Sequence, residues 1–462
     1  MGGMGGMGGM GGGFGSMYGG YHSVVDAASR RDGFLAGNDL LRADVRPLQS
    51  KGVEAEKKVV KAEDPKEESL PANARTLAAP AIIVVEEKKV EPKVERREEP
   101  KVERREEPKV ERREEPKVEK KESTASVAPA PSGTNIRGLA VVKKTGSEAK
   151  NKRKDAVTVT TGSTDVTLDE VTESDDLKKA FESVCLSEIR RQWIQGHNTA
   201  LLVGCGKGLR NDAIDLAKTF LATSVKKLKD IGDFFKIFAI MVAIKDADSG
   251  KDLLKDGASY DRLKLSSSPI YGPSINDLAV KEITSVEEAL KVVDDGLKNA
   301  TNEKELICAY FVLQQSRKAN GETMVYQSAF NLTIAGETVE HFTGLKAKSP
   351  SEPAKLYRYT VGGGCLTLCA NVIAADDDDA KKAVDCLKEM REVKNTEPRS
   401  GNIKRFVEYT EKELGRWKEK AASAPEDKRA GLDNMVNRME LMLKDAKEAS
   451  ADPEHVAPKA YA

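Results

Sequence analysis

The chain has 462 residues, of which 39% are hydrophobic, 5% aromatic and 32% charged. So few apolar side chains cannot bury the whole length, so a large part is expected to stay solvated, and the roughly three domains suggested by length become fewer. Seventy-five basic and 75 acidic residues cancel, which removes the broad electrostatic case for a nucleic-acid partner.

Residues 1–20 are a glycine/methionine tract ending in GSMYGG. Such sequence loses the most backbone entropy on ordering and is expected to be a flexible tail. Residues 21–85 show no sustained period. An eight-residue repeat, EPKVERRE, then begins at Glu91, Glu99 and Glu107, with a variant copy at Glu115. A proline in every copy removes a helical hydrogen bond each time, and one valine per copy cannot build a stacked core. An extended, charge-alternating spacer is expected.

From about Asn135 the composition becomes globular. Strand-like runs lie at Ile136–Val142, Ala156–Thr161, Thr199–Val203, Phe235–Ile244, Ile307–Gln314, Met324–Ile334 and Cys365–Ile373. Helical patterns lie at Asp175–Gln195, Asn211–Lys229, Ser285–Asn299 and Asp378–Lys394. That alternation predicts an α/β fold, a central sheet covered on both faces. Two more helices, Asn402–Ala421 and Glu426–Ala446, flank Pro425 and predict a C-terminal helical hairpin. The expected divisions are 1–134, 135–396 and 397–462.

Six cysteines (Cys185, Cys205, Cys308, Cys365, Cys369, Cys386) form no C-x-x-C pair, and the four histidines stand apart from them. Reduced thiols and no metal site are expected. Cys365 and Cys369 should share one strand face as core thiols, and Trp193 and Trp417 should anchor packing. Carboxylates at Asp376–Asp379 suit the positive end of the following helix. The longest apolar run, Phe234 to Ile244, is too short for a bilayer and contains Lys236. The opening MGGMGG lacks signal-peptide regions, and Gly6 breaks the myristoylation pattern. A soluble intracellular chain without a membrane partner is expected.

The most informative local feature is LLVGCGKGLRNDAIDLAKTF, residues 201–220: strand, glycine turn, helix. Helix N-terminal amides facing such a turn can cradle a phosphate or cofactor. A P-loop needs G-x-x-x-x-G-K-[ST]. Counted from Gly204, the required glycine, lysine and hydroxyl fall on Leu209, Arg210 and Asn211. Counted back from Gly206-Lys207, they demand a glycine at Leu201 and a hydroxyl at Gly208. Neither register works, so tight ATP–magnesium binding is not expected. VGCGKG is also similar to the turn of S-adenosylmethionine-dependent methyltransferases, which carry an acid at the end of the next strand. Here that strand ends near Lys245-Asp246, about forty residues past the turn. A strand-to-helix turn with no ligand is the third reading. Arg210 can bind an anion there or simply lie in solvent at the helix start.

The succession of blocks resembles the kinesin motor domain over about 260 residues. NIRGLAVVKK (135–144) is similar to its first strand, without the family's R-x-R-P. AFESV (180–184) resembles F-x-F-D-x-V-F, and WIQGHNTALLVGCGKG (193–208) the helix and strand leading into the P-loop. FFKIFAIMVAIKDADSGKDLL (234–254), the 261–301 stretch, FNLTIAGE (330–337) and the 354–395 close follow in order.

The resemblance implies a P-loop NTPase-type sheet, microtubule binding and a nucleotide site at Gly204, Gly206, Gly208, Arg210 and Asn211, with switch II at Thr333 and Gly336. It also implies a microtubule-facing basic segment carrying Lys355 and Arg358. The departures matter as much. LKNATNEKEL stands where switch I carries S-S-R-S-H, Thr333 takes the place of the D-x-x-G aspartate, and the long switch II helix has about eighteen residues available.

Phosphoryl transfer depends on these parts acting together, and each lost electrostatic contact costs roughly 3–4 kcal/mol in rate. The expectation is therefore a pseudo-motor with no cofactor, ATP and magnesium entering only if the degenerate pocket is retained. Its expected partners are tubulin, another cytoskeletal protein or an active motor in a heteromer. Cytoplasm and cytoskeleton are the expected places, and a cilium or flagellum is a further guess, since divergent kinesin relatives are often found there. A residual ATP-driven motor and a methyltransferase are the enzyme alternatives.

Overall fold

The computed structural model describes residues 133–462 except 145–148, 232–233, 320 and 378–379. The glycine/methionine tract, the eight-residue repeats and the first proposed division lie outside the described residues, as do Asp378 and Asp379.

The strands in chain order are β1 (Arg137–Lys143), β2 (Asn151–Arg153), β3 (Thr158–Thr161), β4 (Thr164–Thr167), β5 (Glu170–Ser174), β6 (Thr199–Cys205), β7 (Phe234–Ile244), β8 (Ser249–Asp252), β9 (Tyr260–Arg262), β10 (Lys264–Ser268), β11 (Gly272–Asn276), β12 (Lys281–Ile283), β13 (Leu306–Ala319), β14 (Glu322–Gly336) and β15 (Leu366–Ala374). The helices are α1 (Val184–Ile194), α2 (Arg210–Ile231), α3 (Val286–Asn299), α4 (Glu340–Ala347), α5 (Ala380–Met390), α6 (Ile403–Ala422) and α7 (Glu426–Ala451).

The main sheet runs β5-β1-β15-β6-β14-β13-β7-β8-β9, with β12 paired onto β7. Its left half is parallel: β5 on β1, β1 on β15, and β6 between β15 and β14. Its right half is antiparallel, β14 to β13 to β7. Every residue of β6 is buried, as a strand covered on both faces requires, and so its sequence reads as an apolar run rather than an alternation. Leu201, Val203 and Cys205 face one core with α1, α2 and α3, while Leu202 faces the other with α4 and α5. This is the expected α/β fold, a mixed central sheet with helices on both faces.

One sequence expectation needs correction, and two expected strands prove to be directly joined. Helix α1 begins at Val184 rather than Asp175, because Ser183 caps it and the Glu170 carboxylate of β5 accepts from Val184 N, Cys185 N and Ser183 Oγ at 2.8–2.9 Å. The runs expected at Ile307–Gln314 and Met324–Ile334 are the arms of one hairpin, in register from Ile307↔Ile334 to Ala319↔Glu322. Gly321 turns it at φ +83°, and Asn-Gly at 320–321 is the dipeptide such a turn favours.

The C-terminal hairpin is present and packs on the far end of β13 and β14. Ile403, Phe406, Met442 and Ala446 bury there against Val312, Val325 and Ala329. Trp193 is fully buried, but Trp417 is half-exposed with Lys420 over its ring at 4.6 Å, so it does not anchor the core. Cys365 and Cys369 are both buried, Cys365 in the turn just before β15 rather than on it.

Phe330 of β14 sits at the centre of an aromatic cluster in the core on the α1–α3 face, with ring centroids 5.0 Å from Trp193, 5.1 Å from Phe220 and 6.0 Å from Phe311. Phe330→Ala should cost about 3–5 kcal/mol, the usual loss for a buried aromatic. Urea unfolding followed by tryptophan fluorescence measures it, and a loss under about 1 kcal/mol contradicts this account of the core.

Candidate functional site

In an open α/β sheet, ligands bind beyond the carboxyl ends of the strands, where neighbouring connections leave in opposite directions. Here that place is the end of β6, with the ends of β1, β15 and β14 around it. The glycines of the loop are required there for separate reasons. A methyl group at Gly204 would lie 2.5 Å from both Asn371 Oδ1 and a Val339 methyl. At Gly206 it would collide with the Asp377 carboxylate. Gly208 has open space around it but sits at φ +75°, where a side chain is strained.

The loop closes on the chain's own groups. Gly208 donates its N–H to Glu337 Oε1 at 2.7 Å. Leu209 turns down into the core, 7% exposed. Arg210 reaches across the end of β14, its Nη1 donating to the Glu303 carbonyl at 2.7 Å and lying close above Gly336. Asn211 is exposed. Asp212, in the first turn of α2, accepts from Lys143 Nζ at 2.7 Å, an acid at the helix's positive end. Cys205 lies beneath the loop. Burial, helped by the negative charge of Glu337, pushes its thiol up to about 12, so it is no nucleophile at neutral pH.

The two positions for which the resemblance implied switch II fare differently. Gly336 stands beside Gly204, after a bulge that follows Ile334. Thr333 does not join the loop: it pairs with Leu202, and its hydroxyl bonds Asn331 Oδ1 at 2.6 Å and the Tyr357 hydroxyl at 2.8 Å, fully buried. The segment 300–305, expected in the place of switch I, is held at three successive residues. Arg210 holds the Glu303 carbonyl, His341 Nε2 the Lys304 carbonyl at 2.9 Å, and the Tyr260 hydroxyl donates to Glu305 Oε2 at 2.5 Å.

A nucleoside triphosphate with magnesium does not fit these residues. The amide that would face a phosphate already faces a carboxylate, a second carboxylate lies against Gly206, and Arg210 and Asn211 stand where a lysine and a hydroxyl are needed. Among the described residues no cluster of histidine, cysteine, aspartate and glutamate could hold a metal ion.

No family model matches the chain, and no curated protein matches it. The solved structure of a fast kinesin, whose title refers to its ATPase mechanism and its interactions with microtubules, is similar at 14% identity. The match covers 58% of this chain and 94% of the kinesin, at a TM-score of 0.46.

The S-adenosylmethionine reading is not supported. The strand after α2 is β7, separated from β6 by β14 and β13. At about 4.8 Å per strand step, Asp246 at its end lies far from the loop. Glu337 and Glu303 were missed by sequence reasoning, and Asp377 was read only as a helix-end carboxylate, not as a neighbour of Gly206. Glu337 directly follows Gly336 in the FNLTIAGE block, the one local hint available.

Lys355 is exposed. Arg358 is half-buried, donating to Ser267 Oγ at 3.2 Å and lying 5.4 Å over the Tyr359 ring. Among the described residues, no helix is long and apolar enough to cross a membrane.

Because Asn371 and Val339 are buried and Asn371 Nδ2 is tied to the Ala383 carbonyl at 2.6 Å, neither can yield to a methyl group at 204. Gly204→Ala should therefore cost about 1–3 kcal/mol, while Lys207→Ala, on the exposed loop, should cost under about 0.5 kcal/mol. Chemical denaturation of the two variants side by side checks the contrast.

Proposed function

We propose that the chain is a non-catalytic kinesin-like protein of the cytoskeleton, a structural or microtubule-associated interaction module. Its partner is tubulin or another cytoskeletal protein, including an active motor that it joins as an inactive subunit. The cytoplasmic cytoskeleton is its place, with a cilium or flagellum as a narrower location.

Two lines support the reading. The first is the ordered series of blocks between residues 135 and 395 that resembles the kinesin motor domain. The second, which carries the non-catalytic part, is the Gly208 N–H held by Glu337 Oε1 where the family would hold phosphate. Chemistry that works by positioning and neutralising a triphosphate has no purchase on a loop lined with carboxylates. Lys355 is the exposed charge on the segment for which the resemblance implies a microtubule contact. Arg358 is occupied within the fold and serves packing instead.

Calorimetric titration of the full chain with ATP–magnesium and, separately, with S-adenosylmethionine should detect neither down to a Kd of about 1 mM, equivalent to about −4.1 kcal/mol. Micromolar ATP binding with microtubule-stimulated turnover would establish the residual-motor reading instead. In co-sedimentation the chain should pellet with microtubules and be released as salt rises, since exposed charges are screened. Lys355→Glu should lower the pelleted fraction severalfold. A chain left wholly in the supernatant points to a protein partner rather than the filament.

A further inference from the structure

His341, in the first turn of α4, bridges two segments far apart in the chain. Its Nε2 lies 2.9 Å from the Lys304 carbonyl oxygen, in the loop before β13. Its Nδ1 lies 3.0 and 3.1 Å from the two carboxylate oxygens of Glu352, in the turn that leads to Lys355. A carbonyl and a carboxylate both accept and neither donates. A neutral imidazole has one N–H, so it can satisfy one of these partners and must present a lone pair to the other. The observed arrangement is complete when both ring nitrogens carry protons.

We propose that His341 is a proton-operated clamp, tying the 300–305 loop to the 349–353 turn while its ring is doubly protonated and releasing the loop when one proton leaves. The neutral ring keeps its proton on Nδ1, against the Glu352 carboxylate, and turns the Nε2 lone pair toward the Lys304 oxygen. The clamp is therefore selective: the loop goes free at its middle, between Arg210 and Tyr260, while the turn stays attached.

The surroundings favour the charged ring. Glu352 faces it from the turn, its side chain 11% exposed, and Glu340 lies one residue back on α4. From α5 comes Lys382, which is ion-paired to Glu340, and the 300–305 loop contributes a carbonyl. The hydrogen bond to Glu352 raises the imidazole above its ordinary 6.5, outweighing the opposing effect of burial. A group raised in this way stabilises fully below the ordinary value and loses its contribution as pH climbs through the raised one. The clamp is thus closed below about pH 6.5 and opens as pH climbs through the raised value. Gly344 makes the geometry possible, since a methyl group there would lie 2.9 Å from Glu352 Cγ and push the carboxylate off the ring.

The proposal is independent of the kinesin-like reading and is tested on the full chain without any ligand. The His341 ring resonance, assigned by its loss in His341→Gln, should titrate above 6.5. Amide protection factors from hydrogen exchange should fall about two- to tenfold in 300–306 as pH rises from 6 through the ring's measured midpoint, the range that one net hydrogen bond gives, with 349–354 unchanged. Glu352→Gln and Gly344→Ala should each lower the ring's midpoint and flatten that difference. The proposal is overturned if the ring titrates at or below 6.5, if protection of 300–306 does not change with pH, or if Glu352→Gln leaves the titration as it was. Because the last two variants leave the ring in place, the test survives even if His341→Gln fails to fold.

Discussion

Strand β6 is buried along its whole length, and at Gly204 it gives up its side chain so that β14, β15 and the start of α4 can converge on one point. The space that a methyl group would fill is taken by Asn371 and by Val339. Asn371 is in turn tied to α5 through the Ala383 carbonyl. With that convergence in place, Gly336 lies beside Gly204 and its successor Glu337 is delivered to the Gly208 amide. The arrangement of charges at the carboxyl edge of the sheet is a consequence of this close backbone approach.

Those charges are arranged as a protein arranges them around a bound anion, with one difference: the anion is covalently part of the chain. Glu337 supplies negative charge to the loop amide, Asp212 lies at the helix's positive end and is neutralised by Lys143, and Arg210 crosses to the Glu303 carbonyl. Each contact is modest and partly in solvent, worth on the order of 1 kcal/mol. Their combined effect is to join α2, the end of β14 and the 300–305 loop without an external ligand.

How much of this could be read from sequence depended on range. The glycine loop, its strand and its helix were legible because the pattern is contiguous, and Leu201 to Val203 could hardly be anything but a buried strand. Strands β13 and β14 were legible as strands, but their pairing as one hairpin was not read, although Asn-Gly at 320–321 is a turn signal in the sequence. The short strands between Ser249 and Ile283 escaped because they lie toward the sheet's edge or off it and carry few apolar residues, so no period marks them. Thr333 was placed at the loop by analogy with a motif, whereas strand alternation sends its hydroxyl to Tyr357 on the other face. Glu337 on Gly208 spans 129 residues and is created by a bulge. The sequence puts Glu337 directly after Gly336, but its partner at Gly208 is set only by the fold.

A ligand shifts a conformational equilibrium only by the difference in its affinity for the two states. In a motor the triphosphate provides that difference, because the loop, switch I and switch II all grip it in one state and not in another. Here the glycine loop, the end of β14 and the 300–305 segment grip one another. A carboxylate fixed to the same chain is present at the same effective concentration in every cycle, so it can hold an arrangement but cannot drive one. What still distinguishes states is a group whose charge changes while its neighbours stay put. His341 is such a group, set between Lys304 and Glu352, with Arg210 and Tyr260 holding the residues on either side of Lys304.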